Sequence, residues 1–412
     1  MLYTLFPCPV DRFFQALRMS ARPANPCIQL SPRWACACLL ALVAALPLRA
    51  ADLTLTWPVP RTVFQRDTEN HGSIQCIGQC PADAASIEAR TVIRQGGAAV
   101  PWMVIDLHPK DGHFTGALPA TGGWYDVEVR SVGGAESRSA KVERVGVGEV
   151  FVVVGHSVAA GQDLNLDGAA DERVITVALG PKDEGPHAYW RTGAPEDLPE
   201  PGFVQFASGV RPAPFGGGAY FWAAFAERIA RREDVPVLIF NAAFGGTSLE
   251  HWAKSAVGVP FEHSFVKSAI RMPYINLRNT LLKYTAGTGL RAILADQGQN
   301  DWPQPDENVI FEYYRTWVAQ ARQDAHFPEL AIVVNRQTPF LRDRAVRRAQ
   351  ERMIALPHCF PGPDYDAMLP ADRPDSIHLG KSGMAKAAEW WAAALDVDFF
   401  RKATPCPPAN AK

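Results

Sequence analysis

A hydroxyl, an imidazole and a carboxylate suffice for nucleophilic acyl transfer: the imidazole takes the hydroxyl proton, and the carboxylate fixes the imidazole tautomer and stabilises imidazolium. This chain offers one such set. Ser157 follows the apolar run in "VFVVVGHSVAAG" (150–161), while Asp375 and His378 stand three residues apart in "RPDSIHLGKSG". Two further segments hold groups able to stabilise an oxyanion. The glycines ending at Gly246 in "NAAFGGTSLEHW" expose backbone N–H groups to close approach, and Asn300 in "GQND" carries a neutral amide donor. Each group also has a plain structural reading: a helix cap for Ser157, a turn at the glycines, an Asx turn before Pro303, and a helix-start cap beside a surface histidine for Asp375 and His378. The combination favours chemistry, because nucleophile, backbone donor, amide donor and base with its orienter all fall at or after strand ends of one region.

The runs "EVFVVVG", "VPVLIFNA", "LRAILADQG" and "ELAIVVNRQ" read as buried strands, and segments of helical spacing such as "AYFWAAFAERIARRE" separate them. Strands alternating with helices predict a parallel sheet covered on both faces, whose C-terminal strand ends hold the ligand site. The piece from Asp163 to Phe215 fits neither period and reads as a long insertion. From Leu53 to about Val147 the pattern alternates instead, with turns at "PKDGHF", "PATGG" and "SVGGAES", which predicts an antiparallel β-sandwich. The expected order is therefore a leader (1–50), a sandwich (51–147), a catalytic α/β domain (148–400) and a short tail (401–412). An α/β-hydrolase elbow is disfavoured, since it needs glycine two residues after the serine, where Ala159 stands.

A chain of 412 residues has room for two or three domains at roughly 100 to 200 residues each. A net charge of −2 gives no electrostatic case for nucleic acid or an anionic membrane as partner. The stretch "ACACLLALVAALPL" (35–48), preceded by Arg22 and Arg33 and followed by Ala50 and Ala51, is too short for a bilayer span and reads as a secretory signal, with Met19 a credible start. The mature chain is then exported, to the periplasm or beyond, without a stable membrane span. Of the eight cysteines it keeps Cys76, Cys80, Cys359 and Cys406, an even number compatible with two disulfides, and Cys76 and Cys80 are near enough in sequence to close a small loop.

The blocks "GHS", "NAAFGG", "GQND" and "DSIH", in that order, resemble the four blocks of the SGNH hydrolases. The more specific resemblance is to the sialate O-acetylesterase-like branch, whose "GEV…GQSN", "GGT…W" and "D.IH" motifs appear here as "GEVFVVVGHS", "GGTSLEHW" and "DSIH", over Glu149 to Trp391. That resemblance implies a three-layer α/β/α domain with a parallel sheet after a β-sandwich. It also implies a secreted serine esterase that removes O-acetyl or similar short acyl groups from a carbohydrate, with no cofactor or metal. Ser157 is then the nucleophile, His378 the base, Asp375 its orienter, and Gly246 and Asn300 oxyanion donors. Two departures stand out: the family's "GQSN" is "GHSV", which replaces an asparagine by Val158 and puts a titratable His156 beside the serine. The alternatives are an esterase of the same superfamily acting on a non-carbohydrate acyl ester, or a carbohydrate-binding protein with a decayed site. Trp252 and Trp302 follow the second and third blocks, where they either stack on a sugar or pack in the core or rim.

Overall fold

A computed structural model describes residues 52–134, 136–161, 167–179, 186–338 and 344–409. The expected signal segment, with its four cysteines, lies outside the described residues. From Ala50 onward the chain forms one compact unit.

The first part holds β1 (Thr54–Trp57), β2 (Val63–Gln65), β3 (His71–Gln79), β4 (Ser86–Gln95), β5 (Met103–Asp106), β6 (His113–Thr121), β7 (Gly123–Val132) and β8 (Ser139–Gly155). Strands β1, β3 and β6 make one antiparallel sheet, and β5, β4, β7 and the first half of β8 make the facing one. Alternation explains the packing: Ile74, Cys76, Phe114 and Leu118 from one sheet meet Ile87, Ala89, Val127 and Val129 from the other in a shared apolar core.

Strand β8 does not stop at the edge of the sandwich. Its residues up to Gly148 pair with β2 and β7, and from Glu149 on the same strand becomes the centre of a second sheet. That sheet adds β9 (Val174–Val177), β10 (Phe203–Gln205), β11 (Val237–Asn241), β12 (Ala292–Asp296), β13 (Ala331–Arg336) and β14 (Cys359–Asp364), in the order β10-β9-β11-β8-β12-β13-β14. All its pairings are parallel except β9–β10, which is antiparallel at the edge. The sheet is thus mostly parallel rather than wholly so. The segment read as an insertion supplies both β9 and β10.

Helices cover both faces, as a two-sided apolar sheet requires. Val150, Val152 and Val154 point to the side packed by α3 (Leu249–Ala256), α4 (Glu307–Asp324) and α5 (Arg344–Ile354), with Trp252 and Trp317 in that core. Phe151 and Val153 point to the other side, against Trp222 of α2 (Trp222–Glu233) and Trp391 of α6 (Lys381–Ala394). Where β8 changes partners, Glu149 is fully buried and bonds Arg66, Arg291 and Gln65. Burial alone would raise its pKa, but the two guanidinium groups outweigh that and hold it below the ordinary carboxylate range.

The expected Cys76–Cys80 bridge is not formed: both are free thiols. Cys76 lies within extended β3, and four residues of strand span about 13 Å, beyond the ~7 Å between α-carbons that a disulfide tolerates.

Candidate active site

The second sheet brings its C-terminal strand ends together, and those of β8, β11 and β12 build the site with a loop at 375–378 that follows β14. At the end of β8, Gly155 adopts φ +144°, and a Cβ there would lie 2.0 Å from the Asp296 carbonyl oxygen of the paired β12. Only glycine allows that approach. The chain then turns sharply into the short helix α1 (Ser157–Ala160), which presents Ser157 half-buried at its first position.

Ser157 Oγ lies 2.9 Å from His378 Nε2, and His378 Nδ1 lies 2.7 Å from Asp375 Oδ2. The other carboxylate oxygen, Oδ1, accepts from the backbone N–H groups of Ile377 (2.9 Å) and His378 (2.6 Å). The helix-start cap considered from sequence is not formed, since α6 begins at Lys381 with Gly380 as its cap; Oδ1 instead closes the turn that carries His378, and Oδ2 meets the imidazole. Burial is the largest single influence and disfavours the carboxylate, but the bonds from His378 and Ile377 together outweigh it and hold Asp375 down to about 2. It stays ionised at any working pH.

The loop after β11 lies against the serine: a Cβ built on Gly245 would sit 3.6 Å from Ser157 Cβ. Gly246 follows with φ +73°, and a Cβ on it would come within 2.5 Å of the Phe265 ring. Asn300, in the turn after β12, donates from Nδ2 to the Thr247 carbonyl at 3.0 Å, which ties its amide to the Gly245–Gly246 loop rather than to a local turn. Gln297 Nε2 donates to the same carbonyl at 3.0 Å. Asp301 accepts from the N–H of Leu249 at 2.7 Å, joining the loop to the start of α3. Burial pushes Asp301 up to about 7 against the opposing bonds from Leu249 and Gln297. Asp296 is pushed to the same level by burial, against Arg373 and Asn335.

The two departures at the serine have physical answers. His156 is fully buried; desolvation above all, with smaller electrostatic influences of the neighbouring His378 and Arg373 side chains, lowers its pKa to about 3, so it adds no charge beside the nucleophile. Its Nδ1 lies 3.3 Å from the Val158 N and its Nε2 faces Gln337 Nε2; as a neutral ring it accepts at one of the two. Val158 is apolar and buried. The turn is held instead by Asn241 Nδ2 and Trp222 Nε1, which donate to the Ala159 carbonyl at 2.9 and 2.8 Å. The legible signal for Asn241 is a polar residue closing the apolar run of β11. Of the two tryptophans, Trp252 is buried with Nε1 donating to Thr247 Oγ1 at 3.1 Å, whereas Trp302 is 64% exposed.

A family model described as "SASA: Carbohydrate esterase, sialic acid-specific acetylesterase" matches residues 148–396, well over half of the chain. Among solved structures, a carbohydrate acetylesterase from Xanthomonas citri is similar at 17% identity and a TM-score of 0.50, with 83% of this chain and 74% of that one covered, a likeness of fold. A protein from Arabidopsis thaliana (13% identity, TM-score 0.40, 60% and 96% covered) and a family two carbohydrate esterase from Cellvibrio japonicus (14% identity, TM-score 0.34, 84% and 96% covered) are weaker likenesses. No curated protein sequence matches. The family match makes the chain a member of the sialic acid-specific acetylesterase family of carbohydrate esterases, and a hydrolase of ester bonds.

Proposed function

We propose that the mature chain is a secreted serine esterase that removes O-acetyl or similar short acyl groups from a carbohydrate through an acyl-enzyme. Ser157 Oγ attacks the ester carbonyl as His378 Nε2 takes its proton, and Asp375 fixes the tautomer with the proton on Nδ1. The backbone N–H groups of Ser157 and Gly246 and the amide of Asn300 stabilise the tetrahedral oxyanion, each such donor being worth about 100- to 1,000-fold in turnover. Imidazolium then protonates the departing sugar hydroxyl, and a water activated by the same histidine resolves the acyl-enzyme.

The observation that carries this reading is the unbroken chain from Ser157 Oγ through His378 to Asp375, at 2.9 and 2.7 Å, between residues 221 positions apart. The sandwich (51–147) is proposed to pack as a fixed support for the catalytic part (148–400), and the leader to direct export. The test is acetate release from acetylated xylan, O-acetylated sialic acid and 4-nitrophenyl acetate by the mature protein and by Ser157→Ala. Serine-dependent release from a sugar ester is expected. Turnover by Ser157→Ala equal to the parent's would refute the mechanism, and cleavage of aryl and lipid esters with none of sugar esters would refute the substrate class.

A further inference from the structure

The loop that carries Asp375 and His378 is exposed at residues 375–377, and Ser376 within it sits at φ +69°, a left-handed conformation that costs a non-glycine residue of order 1 kcal/mol. Something must hold it over Ser157. From beneath, Gln299 Nε2 donates to the carbonyls of Ser376 and Ile377, each at 3.4 Å. Gln299 Oε1 in turn accepts from Gln337 Nε2 at 3.2 Å, and the second N–H of Gln337 Nε2 faces His156 Nε2, which accepts it in the tautomer with the ring proton on Nδ1. Gln337 is itself clamped: its backbone N–H and C=O bond the Gln350 side chain at 3.2 and 2.8 Å, and its Oε1 accepts from Asn335 Nδ2 at 3.4 Å. His156, Gln337 and Gln299 are all buried, at 0%, 0% and 4% exposure.

These contacts close a ring. It runs from Ser157 to the adjoining His156, through Gln337 and Gln299 to the loop carbonyls, and back by way of His378 to the serine hydroxyl. Two buried amides and a buried neutral imidazole are expensive to desolvate, and once satisfied they rigidify what they join. We infer that His156, Gln337 and Gln299 are positioning residues which set the place of the acid–base loop over the nucleophile, and that the histidine at 156 supports this relay. The inference rests on the serine mechanism proposed above. None of the three touches the reacting atoms.

The test compares Gln299→Leu, Gln337→Leu, the double variant, His156→Leu and His156→Gln on 4-nitrophenyl acetate, with Ser157→Ala alongside. A loop displaced by about 1 Å costs on the order of 100-fold, so each leucine variant is expected to lose roughly 30- to 100-fold in kcat with KM within about threefold. Because either change breaks the ring once, the double variant should be no slower than about threefold below the worse single, far from the ~1,000-fold or more of independent effects. His156→Gln, which restores an amide at that place, should turn over within about threefold of the parent. Should a leucine variant fail to fold, Gln299→Asn, one methylene shorter, replaces it, with about a tenfold loss in kcat expected at unchanged Tm. Folded variants with parental kcat, or a multiplicative double variant, overturn the relay while leaving the mechanism intact. Activity in Ser157→Ala overturns the mechanism and the relay with it.

Discussion

Replacing Asp375 by asparagine tests the site at an exposed member. Oδ1 accepts two backbone N–H groups, from Ile377 and His378, so asparagine must keep its oxygen there and turn its NH₂ toward His378 Nδ1. A donor at that place forces Nδ1 to accept and moves the ring proton to Nε2, the nitrogen facing Ser157 Oγ. The imidazole can then no longer take the serine proton. The electrostatic loss adds to this. The carboxyl is depressed from 3.8 to about 2, nominally ~2.5 kcal/mol at ~1.36 kcal/mol per pH unit. Its side chain is 55% exposed, and solvent screening leaves on the order of 1 kcal/mol of that. With about 2–3 kcal/mol for the misplaced proton, kcat should fall roughly 100- to 1,000-fold, less than the ~10,000-fold known for a buried triad carboxylate. Steady-state kcat and KM on 4-nitrophenyl acetate at pH 7.5 provide the assay, with Asp375→Ala as comparison. Alanine leaves Nδ1 to water and both tautomers accessible, so the asparagine variant should be at least as slow. An Asp375→Asn enzyme within threefold of the parent, or tenfold faster than the alanine variant, would refute the reasoning.

Gly246→Ala forces a side chain into a left-handed backbone and to within 2.5 Å of the Phe265 ring. About a 100-fold loss of kcat is expected, and Gly246→Ala/Phe265→Ala should recover only part of it, since the backbone strain remains. Asp296 has its pKa raised to about 7 by burial, so the native state binds the extra proton between pH 4 and pH 7. Its contribution is present below the unfolded value near 4 and is lost as pH rises through 7. Asp296→Asn should therefore flatten the fall in stability from pH 5 to pH 8 by on the order of 2 kcal/mol, read by urea unfolding, and an unchanged fall would contradict the assignment. Glu149→Gln leaves Arg66 and Arg291 without their buried counter-charge, and a loss of about 3–5 kcal/mol is expected in the same measurement.

What the sequence made legible, and what it hid, follows from how far apart the relevant residues lie. Ser157, Gly246 and Asn300 each close or follow an apolar run, so local pattern places them at strand ends, and Asp375 and His378 are near enough together to be read as a pair. Strands β9 and β10 escaped because they are four and three residues long within a segment rich in proline, glycine and acidic residues. Strand β14, "CFPGPD", contradicts strand composition outright; it survives as an edge strand paired only to β13, where proline costs no ladder bond on the open side. The relay was invisible for another reason: Gln299 and Gln337 are 38 residues apart and their partner His156 a further 143 upstream, so no spacing rule joins them. The disulfide expectation failed because proximity in sequence is distance in space once a segment is extended.

Strand β8 runs for 17 residues, bent at a β-bulge where Arg144 takes φ +59°, and reaches at most roughly 55 Å at about 3.3 Å per residue. One end is woven into the sandwich and the other delivers Ser157. Such a molecule has no joint between its halves. A load or a thermal fluctuation in the sandwich reaches the nucleophile along a single covalent member, braced midway by Glu149 and its two arginines. The same continuity bears on inheritance: a recombination break near residue 148 would sever one strand rather than exchange one module, and a transplanted sandwich must bring the first half of that strand in the correct register. The amino-terminal half is thus the footing of the catalytic serine, not an accessory that can be exchanged freely.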